Sequence, residues 1–303
     1  MSQDGSGFPA LWRRRAALLS LALGVACIAT PTGWAQHASA VLRYEPGIGY
    51  ATEFGTGAGY TNALAALGEP SRSTPGPFGG PVDPFSPPWQ PSQVASLGSG
   101  GLLELQLDSP IRRDAAHPFG IDFMVFGGSG FVIINGDYSG GGITDGSTFG
   151  QDPAQVRISV ADAIGPWFTL DPALAPALEG MFPTDGSGDF TRAVNPALKP
   201  TDFNGLGLDG IRVAYVGSGG GTGFSIAWAR DGSGQPAPIA EATRLRIEVL
   251  SGRVEVDAVA AVRPVPEPEA LALGGVAAIA WLAWGRMSPA RGGHAGKEAR
   301  GAC

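Results

Sequence analysis

Thr-Arg-Leu-Arg-Ile-Glu-Val-Leu, residues 243–250, puts Leu245, Ile247 and Val249 at every second position, with Arg244, Arg246 and Glu248 between them. Side chains leave a β-strand on alternate faces, so this stretch has one apolar and one charged face and reads as a half-buried strand. The same period recurs outward from it. Val254, Val256 and Ala258 follow. Ile211, Val213 and Tyr215 alternate with Arg212 and Ala214, and Val156, Ile158 and Val160 alternate with Arg157 and Ser159. Leu103, Leu105 and Leu107 alternate with Glu104 and Gln106. Residues 119–126 and 131–134 are more continuously apolar, as strands covered on both faces would be. Only 61–67 offers a turn or two of helix, stopped by Gly68 and Pro70. Without longer helical periodicity a parallel α/β fold has no crossover helices. The pattern predicts an all-β domain, an antiparallel β-sandwich of jelly-roll-like topology. The Pro-rich stretch 73–91 is expected to be a long surface loop.

Gly and Pro number 48 and 26 among 303 residues, and they punctuate the apolar runs, which marks turns. Net charge is −7, and 24 of the 27 acidic residues lie between 41 and 268. That balance opposes binding to nucleic acid or to an anionic membrane surface by charge attraction. Cys27 and Cys303 both lie outside the alternating region, which therefore has no disulfide, thiolate metal site or cysteine nucleophile.

The two ends differ from the middle. Arg13, Arg14 and Arg15 precede an apolar run at 16–29, and small residues follow, with Ala38-Ser39-Ala40 or the region around Ala35 as cleavage points. This is the build of a secretory leader helix. We divide the chain into a leader at 1–40, a β-sandwich at 41–263 and a terminal segment at 264–303. In the last, Val265-Pro266-Glu267-Pro268 is followed by an apolar stretch at 270–285, then Arg286 and further basic residues. Sixteen helical residues at ~1.5 Å each fall short of a ~30 Å hydrocarbon core, so this helix would halt in the membrane with its cations on the cytoplasmic side.

That arrangement resembles the PEP-CTERM sorting signal of Gram-negative bacteria. The resemblance implies that an exosortase-type membrane protease recognises Pro266, Glu267 and Pro268, with Arg286 closing the apolar helix, after transient inner-membrane contact. The seventeen residues after Arg286 make a longer tail than such signals usually have. Within the middle, 156–170 with Gly-Pro-Trp-Phe-Thr-Leu (165–170) looks like the strand–turn–Trp hairpin of discoidin-like, galactose-binding-like jelly rolls. Phe-Gly-Ile-Asp-Phe-Met-Val-Phe-Gly-Gly (119–128) and the closing strands look like cell-surface proteins that share the sorting tail. The resemblance implies a place at the cell surface or in the extracellular matrix and supplies no chemistry.

Candidate chemistry is sparse. Of three histidines, His294 lies in the tail and His37 near the leader's end, leaving His117, beside Pro118, as a surface or turn residue. No G-x-S-x-G, H-E-x-x-H or P-loop motif occurs. Gly205, Gly207 and Gly210 spell G-x-G-x-x-G, but a dinucleotide site needs a helix after them, where this reading places a strand. Structural calcium is the one cofactor considered: Asp137, Asp145, Asp185, Asp189 and Asp257 offer hard oxygen ligands on or near glycine-rich turns. For glycans, Trp89, Tyr138 and Trp228 are the aromatic candidates. These readings predict a non-catalytic exported protein associated with exopolysaccharide. The alternatives are a secreted glycan hydrolase using paired carboxylates, or a surface module that captures a small ligand.

Overall fold

The computed structural model describes residues 36–264, apart from 54, 151, 153 and 179–181. The leader run at 16–29 and the sorting residues Pro266, Glu267, Pro268 and Arg286 lie outside the described residues. Two antiparallel sheets dominate. Their strands, in chain order, are β1 (Ala38–Glu45), β2 (Leu102–Arg112), β3 (Phe123–Phe126), β4 (Gln155–Ala161), β5 (Phe168–Leu170), β6 (Thr222–Phe224), β7 (Ala229–Arg230), β8 (Glu241–Ser251) and β9 (Ala258–Ala261). The larger sheet has the order β1-β2-β8-β4-β5-β7 and the smaller one β6-β3-β9. The stretch 243–250 is thus the heart of β8, a central strand of the six.

Alternation explains the packing. Leu103, Leu105 and Leu107 of β2, Leu245, Ile247 and Val249 of β8, and Ile158 and Val160 of β4 form one buried face. It shares a single apolar cluster with Phe123, Val125, Phe224 and Val259 of the smaller sheet. Phe123 and Phe224 stack with centroids 5.3 Å apart. The other face of the smaller sheet is also covered, since Met124, Phe126, Ala258 and Ala260 pack with Ile121 and Phe190. Burial on both faces is why residues 123–126 are apolar without alternation.

The opposite face of the larger sheet is polar. One rung crosses all six strands as Arg43, Glu104, Arg246, Ser159, Thr169 and Arg230. Arg246 pairs with Glu104 at 2.8 Å. Trp167 lies half-buried on this face, with the guanidinium carbons of Arg246 and Arg244 at 4.1 and 5.0 Å from its ring. The β4–β5 hairpin forms as expected, pairing Ser159 with Thr169 and Val160 with Phe168.

Several expectations are corrected. Leu208–Tyr215 is an α-helix, α1, and not a strand. Ile211 and Tyr215 are buried while Val213 is 78% exposed, because residues four apart share a helix face and the residue between them points away. Residues 119–126 contribute a strand only from Phe123; Pro118–Gly120 is a 3-10 turn in which Phe119 takes a left-handed φ of 60°. Of 131–134, only Phe131 joins a short pair, Gly130–Phe131. The Pro-rich stretch 73–91 contains a small antiparallel pair, with Thr74 and Val82 buried. β1 begins at Ala38, which is 2% exposed, two residues ahead of the division drawn at residue 40. Among the described residues no helix is long and apolar enough to cross a membrane.

Candidate functional site

A polar hollow of about 540 Å³ is bounded by His37, Glu69, Arg72, Asp189, Thr191 and Arg263, with Ser187 and Gly188 in its wall. Its parts come from distant stretches brought to one edge of the domain. His37 lies just before β1 and bridges to Ala260 of β9, while Arg263 follows β9. The loop at 185–191 is locked against the turn after α1: Asp185 and Asp189 donate backbone N–H groups to Gly219 and Gly217, and Gly219 returns a hydrogen bond to Asp189. At Gly188 a Cβ would stand 2.2 Å from the Ser218 carbonyl oxygen, so only glycine permits this approach.

Arg72 organises the hollow. Its guanidinium donates to the Gly186 and Gly188 carbonyls at 2.6 and 3.3 Å, pairs with Glu69, and lies 4.4 Å from the Phe190 ring centre. The hydrogen bond from Arg72 holds the Glu69 carboxyl below its ordinary range. Asp189 accepts from the Thr191 N–H and hydroxyl at 2.9 and 2.7 Å, and the Arg263 side chain donates to Gln36 Oε1 at 2.9 Å. His37 Nε2 is buried with no hydrogen-bond partner. Desolvation lowers the His37 pKa, Arg263 and Arg72 lower it further, and Glu69 opposes them. A neutral imidazole, two guanidinium groups, two carboxylates and hydroxyls make a polar wall with nearly balanced charge. Such a wall can hydrogen-bond a ligand rich in hydroxyls.

The residues expected to bind ligands are not assembled here, apart from Asp189. Tyr138, 80% exposed, lines a second hollow of about 270 Å³ with Asp83, Phe85 and Asp137. Trp89 is partly exposed outside that hollow, its carbonyl accepting the Tyr60 hydroxyl. Trp228 is half-buried and packs against two apolar clusters.

The acids offered for calcium have local work. Asp137, Asp145, Asp185 and Asp189 each accept the backbone N–H and the hydroxyl of the Ser or Thr two residues on, and Asp231 does the same with Ser233. Asp-x-Ser/Thr is therefore a recurring turn device of this chain. Asp185 also takes a two-point contact from Arg212, at 2.8 and 3.2 Å. Asp257 is buried and accepts from Ser71 N–H and Oγ. Among the described residues no three His, Cys, Asp or Glu are grouped to hold a metal.

Two motifs read differently in three dimensions. His117 is buried, not a surface residue: its Nδ1 is 2.8 Å from Asp122 Oδ1, while Asp122 Oδ2 accepts from Ser225 Oγ and Ile226 N–H. The carboxylate sits between histidine and serine, whereas acyl transfer needs the hydroxyl on the imidazole. This trio instead ties the turn before β3 to the turn after β6. A helix does follow Gly205 and Gly207, with Gly210 inside its first turn, but the residues before it belong to a two-residue antiparallel pair, and Asp209 in that turn opposes a phosphate there.

No known protein-family model matches this chain, and no curated protein matches it.

Proposed function

We propose that this chain is an exported, non-catalytic protein of the bacterial cell surface or extracellular matrix. In this reading its β-sandwich, jelly-roll-like in topology, holds a saccharide unit of an exopolysaccharide in the hollow around Arg72. Export through the N-terminal leader and release or transfer by an exosortase-type protease at Pro266, Glu267 and Pro268 complete it. One observation carries the choice of binding over catalysis. The hollow gathers donors and acceptors of nearly balanced charge, yet its Glu69 is kept ionised by Arg72, so that carboxyl is no proton donor for glycoside cleavage. Buried acids with raised pKa do exist, Asp257 foremost, but Asp257 is spent on Ser71 and lines no part of this hollow.

The test is equilibrium binding of the purified protein to the producing organism's exopolysaccharide and to its neutral monosaccharides, alongside a hydrolysis assay. His37→Ala removes the imidazole from the lining of the hollow, and Arg263→Ala removes a guanidinium from its wall. Each is expected to weaken binding about fivefold, the worth of one hydrogen bond near 1 kcal/mol, with little dependence on salt because the ligand is uncharged. Equal binding by wild type and both variants, or measurable glycan turnover, would overturn the assignment.

A further inference from the structure

From the seating of residues 36–40 in the fold, we infer that the leader is cut between Ala35 and Gln36, so that Gln36 is the first residue of the exported protein. This rests on the proposal that the chain is exported. Cleavage by a leader peptidase needs small residues immediately before the cut and two positions further back. Between 30 and 40 the sequence supplies that pattern twice, as Gly33-Trp34-Ala35 and as Ala38-Ser39-Ala40. Sequence alone does not choose between them.

The fold does. The Gln36 carbonyl accepts the Ala261 N–H at 2.7 Å, and its side-chain oxygen accepts from Arg263 at 2.9 Å. His37 forms an antiparallel bridge with Ala260 and lines the polar hollow. Ala38 is 2% exposed within the main apolar cluster, pairs with Leu107, and its carbonyl accepts the Gly68 N–H at 2.8 Å. Ala40 pairs with Gln106. A cut after Ala40 would strip all of these. It would open the end of the main core and leave the Ala261 and Gly68 N–H groups without acceptors. It would also remove the seam between β1 and β9 and take His37 out of the hollow. A cut after Ala35 spares every one of them.

The inference is tested by mass spectrometry and N-terminal sequencing of the full chain expressed and exported in its own host. The expected terminus is Gln36, or the same residue cyclised with loss of one ammonia, since an N-terminal glutamine's amine can attack its own side-chain amide. Ala35→Leu, which puts a bulky residue before the cut, is expected to accumulate uncut precursor, while Ala40→Leu is expected to be processed normally. Exported protein beginning at Val41, or export with the leader retained, overturns the inference and leaves the export proposal standing. Intact chain confined to the cytoplasm overturns both. Block of processing by Ala40→Leu and not by Ala35→Leu would show that the second site is used.

Discussion

Asp257 is the most exacting place to test the energetics of this fold. It stands between the strand at Val254–Val256 and β9, 2% exposed, with its two oxygens accepting the N–H and hydroxyl of Ser71 at 2.8 Å each. Among the described residues no cation forms an ion pair with it. Burial therefore dominates and raises its pKa from 3.8 to about 7, the Ser71 hydrogen bonds offsetting only part of the effect. In the unfolded chain the group titrates at its ordinary value. Between pH 4 and 7 the folded state consequently holds a proton that the unfolded state has released. Stability is highest below the unfolded pKa, falls as pH rises through that window, and is level above the folded pKa. At 1.36 kcal/mol per pH unit over about three units, the loss is about 4 kcal/mol. Asp257→Asn keeps an acceptor for Ser71 N–H and removes the charge. Urea unfolding of both proteins at pH 4, 6 and 8 is the assay. The variant is expected to match wild type within about 1 kcal/mol at pH 4 and to exceed it by about 4 kcal/mol at pH 8, with unchanged urea m-values. Burial also raises the Glu255 carboxyl, but Glu255 is present in both proteins, so their difference isolates Asp257. Parallel pH profiles, or a variant less stable at pH 8, would refute the reasoning.

Two further outcomes check other parts of the structure. Arg212→Ala leaves the buried Asp185 carboxylate without its cation, and with the arginine partly exposed the expected loss is about 2 kcal/mol by chemical denaturation, largely restored by adding Asp185→Asn. Val213→Glu is expected to change stability by less than about 0.5 kcal/mol, since Val213 projects from α1 into solvent; a core strand position would lose several times as much, which urea unfolding distinguishes.

The legible parts of the fold were those where one face is wet and one is dry. In β2, β4 and β8 the period of two is plain over 103–107, 156–160 and 245–249, where charged or polar residues separate the apolar ones, and those strands are legible from the sequence alone. The alternation at 211–215 misled for a physical reason: Ile211 and Tyr215 are four apart, a spacing that serves a helix face as well as every second strand position. Val213 would have had to be charged to break the tie. His117 misled because nothing in a sequence shows that Asp122 and Ser225, 103 residues apart, close over it. The hollow was not legible, since His37, Glu69, Arg72, Asp189 and Arg263 have no common spacing and meet only when the sheets pack. Asp189 was singled out, but as a calcium ligand. The Asp-x-Ser/Thr turns are visible in the sequence as acid-rich loops, and in the fold each of these acids accepts the hydrogen bonds of its own turn.

The seam between the two ends of the domain connects the hollow to the order in which the chain emerges. Gln36 and His37 meet Ala260 and Ala261, so the first described residues cannot be fixed until nearly the last are available to pair with them. β8 imposes the same delay, because it lies between β2 and β4 and neither sheet half is complete without it. Pairings this distant in sequence close slowly, as their loop entropy must be overcome before the contacts form. If the terminal segment pauses in the membrane as proposed, it would hold both ends of the domain near one place while β8, β9 and the seam assemble. The hollow completes in the same step, because His37 and Arg263 are its contributions from the two ends. In the proposed function, binding competence and completed export would thus share one structural event, the docking of β9 against residues 36–38.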